Sequence, residues 1–463
     1  MNDNNYLITE KTTRLLLKFS IPCILSLLIS ALYNIVDQIF IGNSNVGAIG
    51  NTATTIVFPL TCIALAFALM LGDGAAAYMS LCMGKNDNKS VGKAVGTAIT
   101  LGTIISIAFL AISFPLLENI LVMFGAKTDL SKEKSFEYGF IILFGIPFYI
   151  IGTIFNSIIR ADGNPKFAMI SMVSGAVINI ILDAIFILAL NMGLTGAALA
   201  TIIGQAVTFG VSLIFIIKAK CYKLKACDLL INKNVLGHIL KLGLSSFLTQ
   251  ISIVIITVVS MNVLAKYGAL SKYGSDDPQA ILGVSMKVFT IFVNIAVGIA
   301  AGAQPIVGFN YGAGRLDRVK ELYKKIIVSV ILVGVVATLL FELAPEFVIG
   351  LFGSNSLNPT YYKEFGRLTI RIYLCLISFT LVQKATAIFL QSIGKPYKAM
   401  ILSLTRDVIV FVPATMIMPM IMGIEGVLWA APIADVVGII LSIIFIVMEI
   451  RKLNLNKDNY IDW

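Results

Sequence analysis

Long apolar stretches and short polar segments alternate along the chain of 463 residues. Each apolar stretch reaches the length of about 20 residues that a helix needs to cross a bilayer, and none shows the alternation of polar and apolar positions typical of a barrel strand. The pattern predicts an all-α membrane protein with twelve transmembrane helices. We place these helices at residues 15–41, 50–83, 91–116, 136–158, 167–190, 195–217, 237–265, 280–311, 319–344, 361–391, 397–420 and 425–449.

Short motifs from the first half of the chain return in the second half, in the same order and about 230 residues later. Each half holds six predicted helices, an even number, so both halves enter the membrane in the same direction and an axis along the membrane normal relates them. We therefore expect two six-helix lobes, at residues 1–217 and 241–463, with a linker at 218–240 and a substrate path between the lobes. The repeated segments, first copy before second, are 84–91 and 312–319, 124–125 and 352–353, 163–169 and 394–400, and 193–196 and 423–426.

The composition supports a membrane location and indicates the orientation. Hydrophobic residues make up 58% of the chain, charged residues make up 13%, and the mean hydropathy is +0.92. The net charge of +10 does not require a nucleic-acid partner, because about two thirds of the lysines and arginines fall in the loops on one side of the predicted helices. That bias predicts a multi-pass protein of the bacterial inner membrane with both termini in the cytoplasm.

Several kinds of chemistry find no support in the sequence. The six cysteines form no CxxC motif or cluster with histidine, so we expect free thiols, most of them buried, and no structural metal site. The single histidine supplies no catalytic set for an enzyme, and no GxxxxGK[ST] loop is present to bind ATP. We expect no cofactor beyond a coupling ion.

One acid in an apolar run carries the main functional prediction. Asp37 lies in the first predicted helix, in a stretch from Ala31 to Gly42 that is otherwise uncharged. Such an acid is costly in the membrane and marks a functional site by default. Counted from the helix ends at about 1.5 Å per residue, Asp183 and Thr201 lie at nearly the same depth, and Asn179 shares a helix face with Asp183. The first lobe has no lysine or arginine at this depth, so we predict that these four residues form a proton or cation coupling site.

The remaining charged and polar residues within the spans form a second group. Asp73 lies among small residues and is expected to make a polar contact between packed helices. Asp407 and Asp435 are expected to pair across helices with Lys287, Arg371 or Arg406. The full set of possible polar or charge-pair positions is Asn34, Asp73, Lys287, Arg371, Arg406, Asp407 and Asp435.

The chain resembles the multidrug and toxic compound extrusion (MATE) family, in its MepA-like bacterial branch, along nearly its whole length. The resemblance implies a twelve-helix, two-lobed exporter of cationic drugs, driven by an inward proton or sodium gradient, with the acids of the first lobe at the coupling site. We expect lipophilic as well as cationic substrates, and a monomer. Some family members carry a glutamate on the seventh helix that is tied to sodium coupling, whereas this chain has Ser260 where the repeat places the partner of Asp37. The motifs that carry the resemblance are Asn34-Ile-Val-Asp37-Gln-Ile-Phe-Ile-Gly42, Arg160-Ala-Asp-Gly163-Asn-Pro165, Asn179-Ile-Ile-Leu-Asp183 and Gly193-Leu-Thr-Gly-Ala-Ala-Leu-Ala-Thr201.

Two choices stay open at this point. The coupling ion is a proton or sodium, because carboxylate, amide and hydroxyl oxygens suit either ion. A flippase or exporter of lipid-linked saccharides, from the same superfamily, is the alternative function, and cavity-lining arginines such as Arg367, Arg371 and Arg406 would favour it.

Overall fold

A computed structural model describes residues 6–42, 44, 46–126, 128–219, 226–274, 276–350 and 359–455, and in these residues the chain is helical without strands. Two π-helical turns, at Ala184–Ala189 and Thr405–Val410, and a 3₁₀ turn at Ala226–Leu229 interrupt or join the α-helices. The α-helices are α1 (Tyr6–Thr9), α2 (Thr12–Gly42), α3 (Gly47–Gly84), α4 (Asn88–Met123), α5 (Asp129–Ala161), α6 (Pro165–Asp183), α7 (Gly193–Lys218), α8 (Lys233–Ala269), α9 (Asp276–Gly312), α10 (Leu316–Leu343), α11 (Pro345–Gly350), α12 (Pro359–Tyr373), α13 (Ile377–Ser392), α14 (Pro396–Leu404), α15 (Phe411–Met422) and α16 (Ile424–Leu455).

The helices confirm the predicted membrane spans. Within the described residues, 11 helices are long and apolar enough to cross a membrane, and a bent pair raises the number to 12. The bent pair is α12 and α13, which meet at 46° where the sequence predicts one continuous span. Most observed helices extend a few residues beyond the predicted bounds, because apolar length alone does not mark where a helix ends in the interfacial region.

The turns of the two lobes share a backbone geometry that explains the repeated glycines. Gly163 and Gly394 have φ angles of +87° and +73°, and Gly193 and Gly423 have φ angles of +56° and +63°. Only glycine adopts this left-handed region without strain. The glycines of the sequence repeat therefore mark equivalent turns in the two lobes.

A contact between two repeat-related glycines indicates the axis that relates the lobes. Gly84 ends α3 and Gly312 ends α9, and a Cβ atom on either glycine would collide with the other helix. The Cβ of residue 84 would overlap the carbonyl of Phe309, and the Cβ of residue 312 would overlap the carbonyl of Leu81. Each contact repeats the other with the lobes exchanged, which is how residues on a two-fold axis behave.

The lobes close against each other on one side of the membrane. We call this side the basic side; it carries the turns at 84–88, 161–165, 312–316 and 392–396. Near it, α2 packs along α9, and α3 packs along α8 and α9. Gly243 of α8 lies against the backbone of α3, and Gly302 of α9 lies against the backbone of α2 at Phe19 and Ser20. Small residues let the helix backbones approach this closely, so the basic side is closed by direct helix contact.

The N-terminal segment contacts both lobes on the basic side. Tyr6 donates its hydroxyl to the carbonyl of Gly163 in the first lobe, at 3.2 Å. Arg318 of the second lobe donates to the carbonyls of Leu7 and Glu10, at 3.2 and 2.6 Å. We call residues 6–13 the N-terminal strap, because they contact both lobes across the basic side.

Both ends of the described chain lie on the basic side. The strap reaches the turn between α5 and α6, and Glu449 near the end of α16 pairs with Lys398 in the first turn of α14. The described part of the expected linker at 218–240 lies on this side too, where Asp228 touches Gly96 in the first turns of α4. Helix α8 begins within the expected linker at Lys233, so the last part of that segment belongs to the seventh span. Residues 220–225 lie outside the described residues.

The described cysteines are free, as predicted. Cys23, Cys62 and Cys82 are buried, and Cys375 is partly buried. Cys221 and the side chain of Cys227 lie outside the described residues.

Candidate functional site

Helices α2 and α6 bring Asp37 and Asp183 together. These helices pack against each other, and the two carboxyl groups lie close enough for the charge of one to act on the other. Asp183 is 0% exposed and Asp37 is 8% exposed. The first lobe therefore holds two neighbouring acids inside an apolar helix bundle.

Asn179 lies one helical turn before Asp183, at a place where α6 touches α7. A Cβ atom at Gly204 of α7 would lie 2.8 Å from the carbonyl of Gly175 and 3.0 Å from Cβ of Asn179. This glycine contact draws α7 against α6, and it holds the Asn179 side chain, 2% exposed, between the helices.

Several polar atoms of this site have no hydrogen-bond partner among the described residues. They are Oδ1 of Asp37, both carboxylate oxygens of Asp183, and both polar atoms of the Asn179 side chain. An unsatisfied buried polar group costs about 1–3 kcal/mol, and a charged group costs more. The chemistry of these atoms, carboxylate and amide oxygens, fits a proton or a hard cation such as sodium.

Two tyrosines that the sequence reasoning missed complete the surroundings. Tyr33 on α2 and Tyr138 on α5 are both within range of the charges of Asp37 and Asp183. The hydroxyl of Tyr138 lies beside that of Thr201 on α7, so the predicted threonine joins the site through the tyrosine. The depth count could have found both tyrosines, since Tyr33 lies four residues before Asp37 and Tyr138 enters the membrane from the same side.

A π-helical turn begins directly after Asp183. It spans Ala184–Ala189, and the amide of Leu190 donates to the carbonyl of Ile185 at 2.9 Å, five residues back. Such wider turns are rare and often occur at functional sites, because they shift the side chains of a helix relative to one another. The corresponding helix of the second lobe carries the other π turn, at Thr405–Val410, and that turn contains Arg406 and Asp407.

The acids of the second lobe are paired, in contrast to those of the first. Arg406 donates to Oδ1 of Asp407 at 2.8 Å and to Oδ1 of Asp435 at 3.0 and 2.7 Å. Lys384 donates to Oδ2 of Asp407 at 2.9 Å, and Thr380 donates to Asp435 at 2.6 Å. We call these five residues the C-lobe charge cluster. Two cations balance two carboxylates here, so the cluster is neutral.

The other expected charge partners lie elsewhere. Arg371 does not pair with Asp407 or Asp435, because it lies on α12 beside Glu342, with 3.8 Å between Nε and Oε2. Lys287 is exposed on α9, whereas the ion pairs of Asp407 and Asp435 are made with Lys384 and Arg406. Sequence reasoning could not choose among three basic residues, since the choice depends on which helices are neighbours.

Asn34 and Asp73 differ in what they contact. Asn34 is exposed and donates to the carbonyl of Ser30 in its own helix, at 2.7 Å. Asp73 on α3 accepts hydrogen bonds from Ser157 of its own lobe at 3.1 Å and from Ser246 of the other lobe at 3.0 Å. Asp73 therefore makes a polar contact between packed helices, and this contact crosses the boundary between the lobes.

Solved structures of other proteins share the fold of this chain. A multidrug resistance MATE family transporter of the MOP superfamily, in its outward-facing conformation, superimposes with a TM-score of 0.89 at 22% identity, covering 98% of this chain and 100% of that chain. A crystal structure of MATE in complex with MaL6 gives a TM-score of 0.89 at 23% identity, with coverage of 98% and 100%.

Sequence relatives extend over the full length. Multidrug export protein MepA of Staphylococcus aureus (strain N315) is 24% identical over 474 residues, and that of Staphylococcus haemolyticus (strain JCSC1435) is 25% identical over 475 residues; each alignment covers 100% of both proteins. The MatE family profile matches residues 22–185 and 245–416, one segment in each lobe. This match spans well over half of the sequence, and the chain belongs to the MatE family.

Proposed function

We propose that this chain is a secondary active exporter of lipophilic or cationic small molecules, driven by an inward proton or sodium gradient. The observation that carries the proposal is the pair of buried acids, Asp37 and Asp183, which have no basic partner among the described residues. Membership of the MatE family and the relatives named multidrug export protein support it.

The site suggests how coupling works. Two neighbouring carboxylates in a medium of low dielectric constant repel each other strongly. A proton, a sodium ion or the cationic group of a substrate removes that repulsion when it binds between Asp37 and Asp183. Because all of these compete for the same negative charge, the coupling ion lowers the affinity for the substrate, and the substrate lowers the affinity for the ion by the same factor.

The direction of transport follows from the orientation. The excess of lysine and arginine on the basic side supports a cytoplasmic location for that side and for both termini. We propose that, with the basic side closed, the lobes are open toward the outside, which is the state that releases substrate and takes up the coupling ion. Rocking of the two lobes about their shared axis would then expose the same site to the cytoplasm. Since one chain supplies both lobes and the site, we propose that it acts as a monomer.

The alternative of a lipid-linked saccharide flippase receives less support. Such a substrate carries phosphate groups and would need unpaired arginines along the cleft. Arg406 is instead buried in the C-lobe charge cluster, and Arg371 lies beside Glu342.

Export from proteoliposomes tests the proposal. The purified protein is reconstituted, a proton or a sodium gradient is imposed one at a time, and transport of ethidium is followed by fluorescence. We expect transport under one of the gradients, and the Asp37→Asn and Asp183→Asn variants should insert normally but lose it. If wild-type protein transports no dye under either gradient, the proposal is wrong.

A further inference from the structure

Part of the linker between the lobes lies beside helix α4. The 3₁₀ turn of the linker packs against this helix. A Cβ atom at Gly96 of α4 would overlap the backbone carbonyl of Asp228. Thr100, one turn further along α4, donates its hydroxyl to the carbonyl of Leu229 at 2.7 Å. The linker therefore contacts α4 at a level about 12–18 Å from the start of that helix.

The charge pattern of α4 indicates how deep this level lies in the membrane. The stretch between Lys93 and Glu118 contains no charged residue and is about 36 Å long at 1.5 Å per residue. A hydrocarbon core of about 30 Å fits within this stretch, so the core begins within about one turn after Lys93. The linker contacts at Gly96 and Thr100 therefore lie at the boundary of the hydrocarbon or just inside it.

Hydroxyl groups of α4 satisfy the linker backbone at this depth. Non-helical backbone is tolerated inside a membrane only where protein groups bond its N–H and C=O groups. Thr100 bonds the carbonyl of Leu229, and the hydroxyl of Thr97 accepts from the amide of Asn232 at 3.5 Å. The Asn232 side chain then accepts from two amides in the first turn of α8. These contacts are those expected of a segment that lies out of water.

The sequence of the second lobe differs at the corresponding surface. The repeat aligns 84–91 with 312–319, so Gly96 of α4 corresponds to Lys324 of α10. Glycine is required on α4, because a side chain at this position would overlap the backbone of Asp228. The first lobe therefore carries a surface shaped for the linker, and the repeat does not preserve it.

Three consecutive apolar residues of the linker are exposed at this level. Leu229 is 42% exposed, Leu230 is 73% exposed and Ile231 is 39% exposed. We call these three residues the linker tip. Lysines flank it: Lys93 lies on α4 one turn closer to the basic side than Thr97, and Lys233 is exposed in the first turn of α8. Exposed apolar side chains with lysines beside them are typical of a segment in the membrane interface, where the ammonium groups reach the lipid phosphates.

We infer that the linker tip is inserted into the membrane leaflet on the basic side and binds phospholipid. Its apolar side chains contact the acyl chains near the hydrocarbon boundary, and Lys93 and Lys233 contact the phosphate groups. The segment expected to be a loop between the lobes is thus, at its tip, a membrane anchor. This inference goes beyond the proposed function and does not depend on it, because it concerns contact with lipid and not transport.

Spin-label accessibility tests the depth of the tip. Leu230→Cys, Lys89→Cys and Ile104→Cys are made one at a time in a background without other cysteines, spin-labelled, and placed in nanodiscs of phosphatidylethanolamine and phosphatidylglycerol. Lys89 is exposed at the start of α4, and Ile104 is 48% exposed one turn deeper than Thr100. Power-saturation EPR gives the collision rates of each label with oxygen, which concentrates in lipid, and with Ni-EDDA, which concentrates in water. We expect the ratio of oxygen to Ni-EDDA collisions at Leu230 to lie closer to that of Ile104 than to that of Lys89.

Two outcomes would overturn the inference. If the ratio at Leu230 matches that at Lys89, the linker tip lies in water. If collision rates with both reagents are low, protein such as a second copy of the chain covers the tip. Elution of each labelled variant like wild-type protein in gel filtration is the control for folding. Ile231→Cys gives a second position in the tip, and the same ratio is expected there if Leu230→Cys does not fold.

Discussion

The N-terminal strap offers a direct test of how the basic side is held closed. Arg318 donates one hydrogen bond to the carbonyl of Leu7 at 3.2 Å and one to the carbonyl of Glu10 at 2.6 Å, and both bonds join the second lobe to the strap. Methionine has a similar length and no donor, so Arg318→Met removes both bonds and preserves much of the packing. We expect the strap to stay with the first lobe when the basic side opens, which breaks these bonds, so the variant should shift the equilibrium toward the state that is open on that side.

The size of this shift follows from the two bonds. A hydrogen bond to a charged group contributes about 1.5–3 kcal/mol, and the lower value applies here because the strap borders water. Losing both bonds then costs the closed state about 3 kcal/mol. Each 1.4 kcal/mol changes an equilibrium constant tenfold, so the ratio of open to closed molecules should rise roughly 100-fold.

Spin labels can measure this ratio. Lys166 is the second residue of α6 in the first lobe, Tyr397 is the second residue of α14 in the second lobe, and both are exposed on the basic side. Labelled cysteines at these positions, in a background without other cysteines, report the distance between the lobes by double electron–electron resonance. We expect Arg318→Met to add a population at longer distance.

The control for this experiment is Arg315→Met. Arg315 is exposed near the start of the same helix, and its side chain makes no hydrogen bond or ion pair among the described residues. That variant should keep the wild-type distance distribution. If Arg318→Met also keeps it, the strap does not stabilise the closed state and the reasoning is refuted.

Three further predictions follow from close contacts and buried charges. Asp183→Asn should bind ethidium without competition from the coupling ion, and competition of wild-type strength in a binding titration would argue against the first-lobe site. Gly243→Ala should push α8 away from the backbone of α3 and lengthen the same spin-label distance, whereas Gly237→Ala on the same helix, which meets only open space, should not; equal distances in both would contradict the tight contact. Arg406→Met should lower the free energy of unfolding by about 3–5 kcal/mol, because two buried carboxylates lose a partner. Arg371→Met, at an exposed ion pair, should lower it by less than about 1 kcal/mol in the same denaturation assay.

The chain alone predicted the architecture and an expected depth for the site. Apolar length predicted the twelve spans, because a helix must satisfy its own backbone hydrogen bonds to cross a bilayer of given thickness. The fixed rise of the helix then placed Asp37, Asp183 and Thr201 at one depth before any helix neighbours were known. The repeated glycines predicted equivalent turns, because only glycine accepts their positive φ angles.

Tertiary structure decided everything that depends on which helices are neighbours. In the structure, Tyr33 and Tyr138 lie near the two acids of the first lobe. Arg406, and not Arg371, is the partner of Asp435. Asp73 makes a hydrogen bond across the lobe boundary. The sequence could not predict these contacts, because lipid is as apolar as the helix surfaces and hydrophobicity therefore does not indicate which helix faces meet. Close backbone contacts at small residues determine which faces meet, and these contacts are seen only in the assembled bundle.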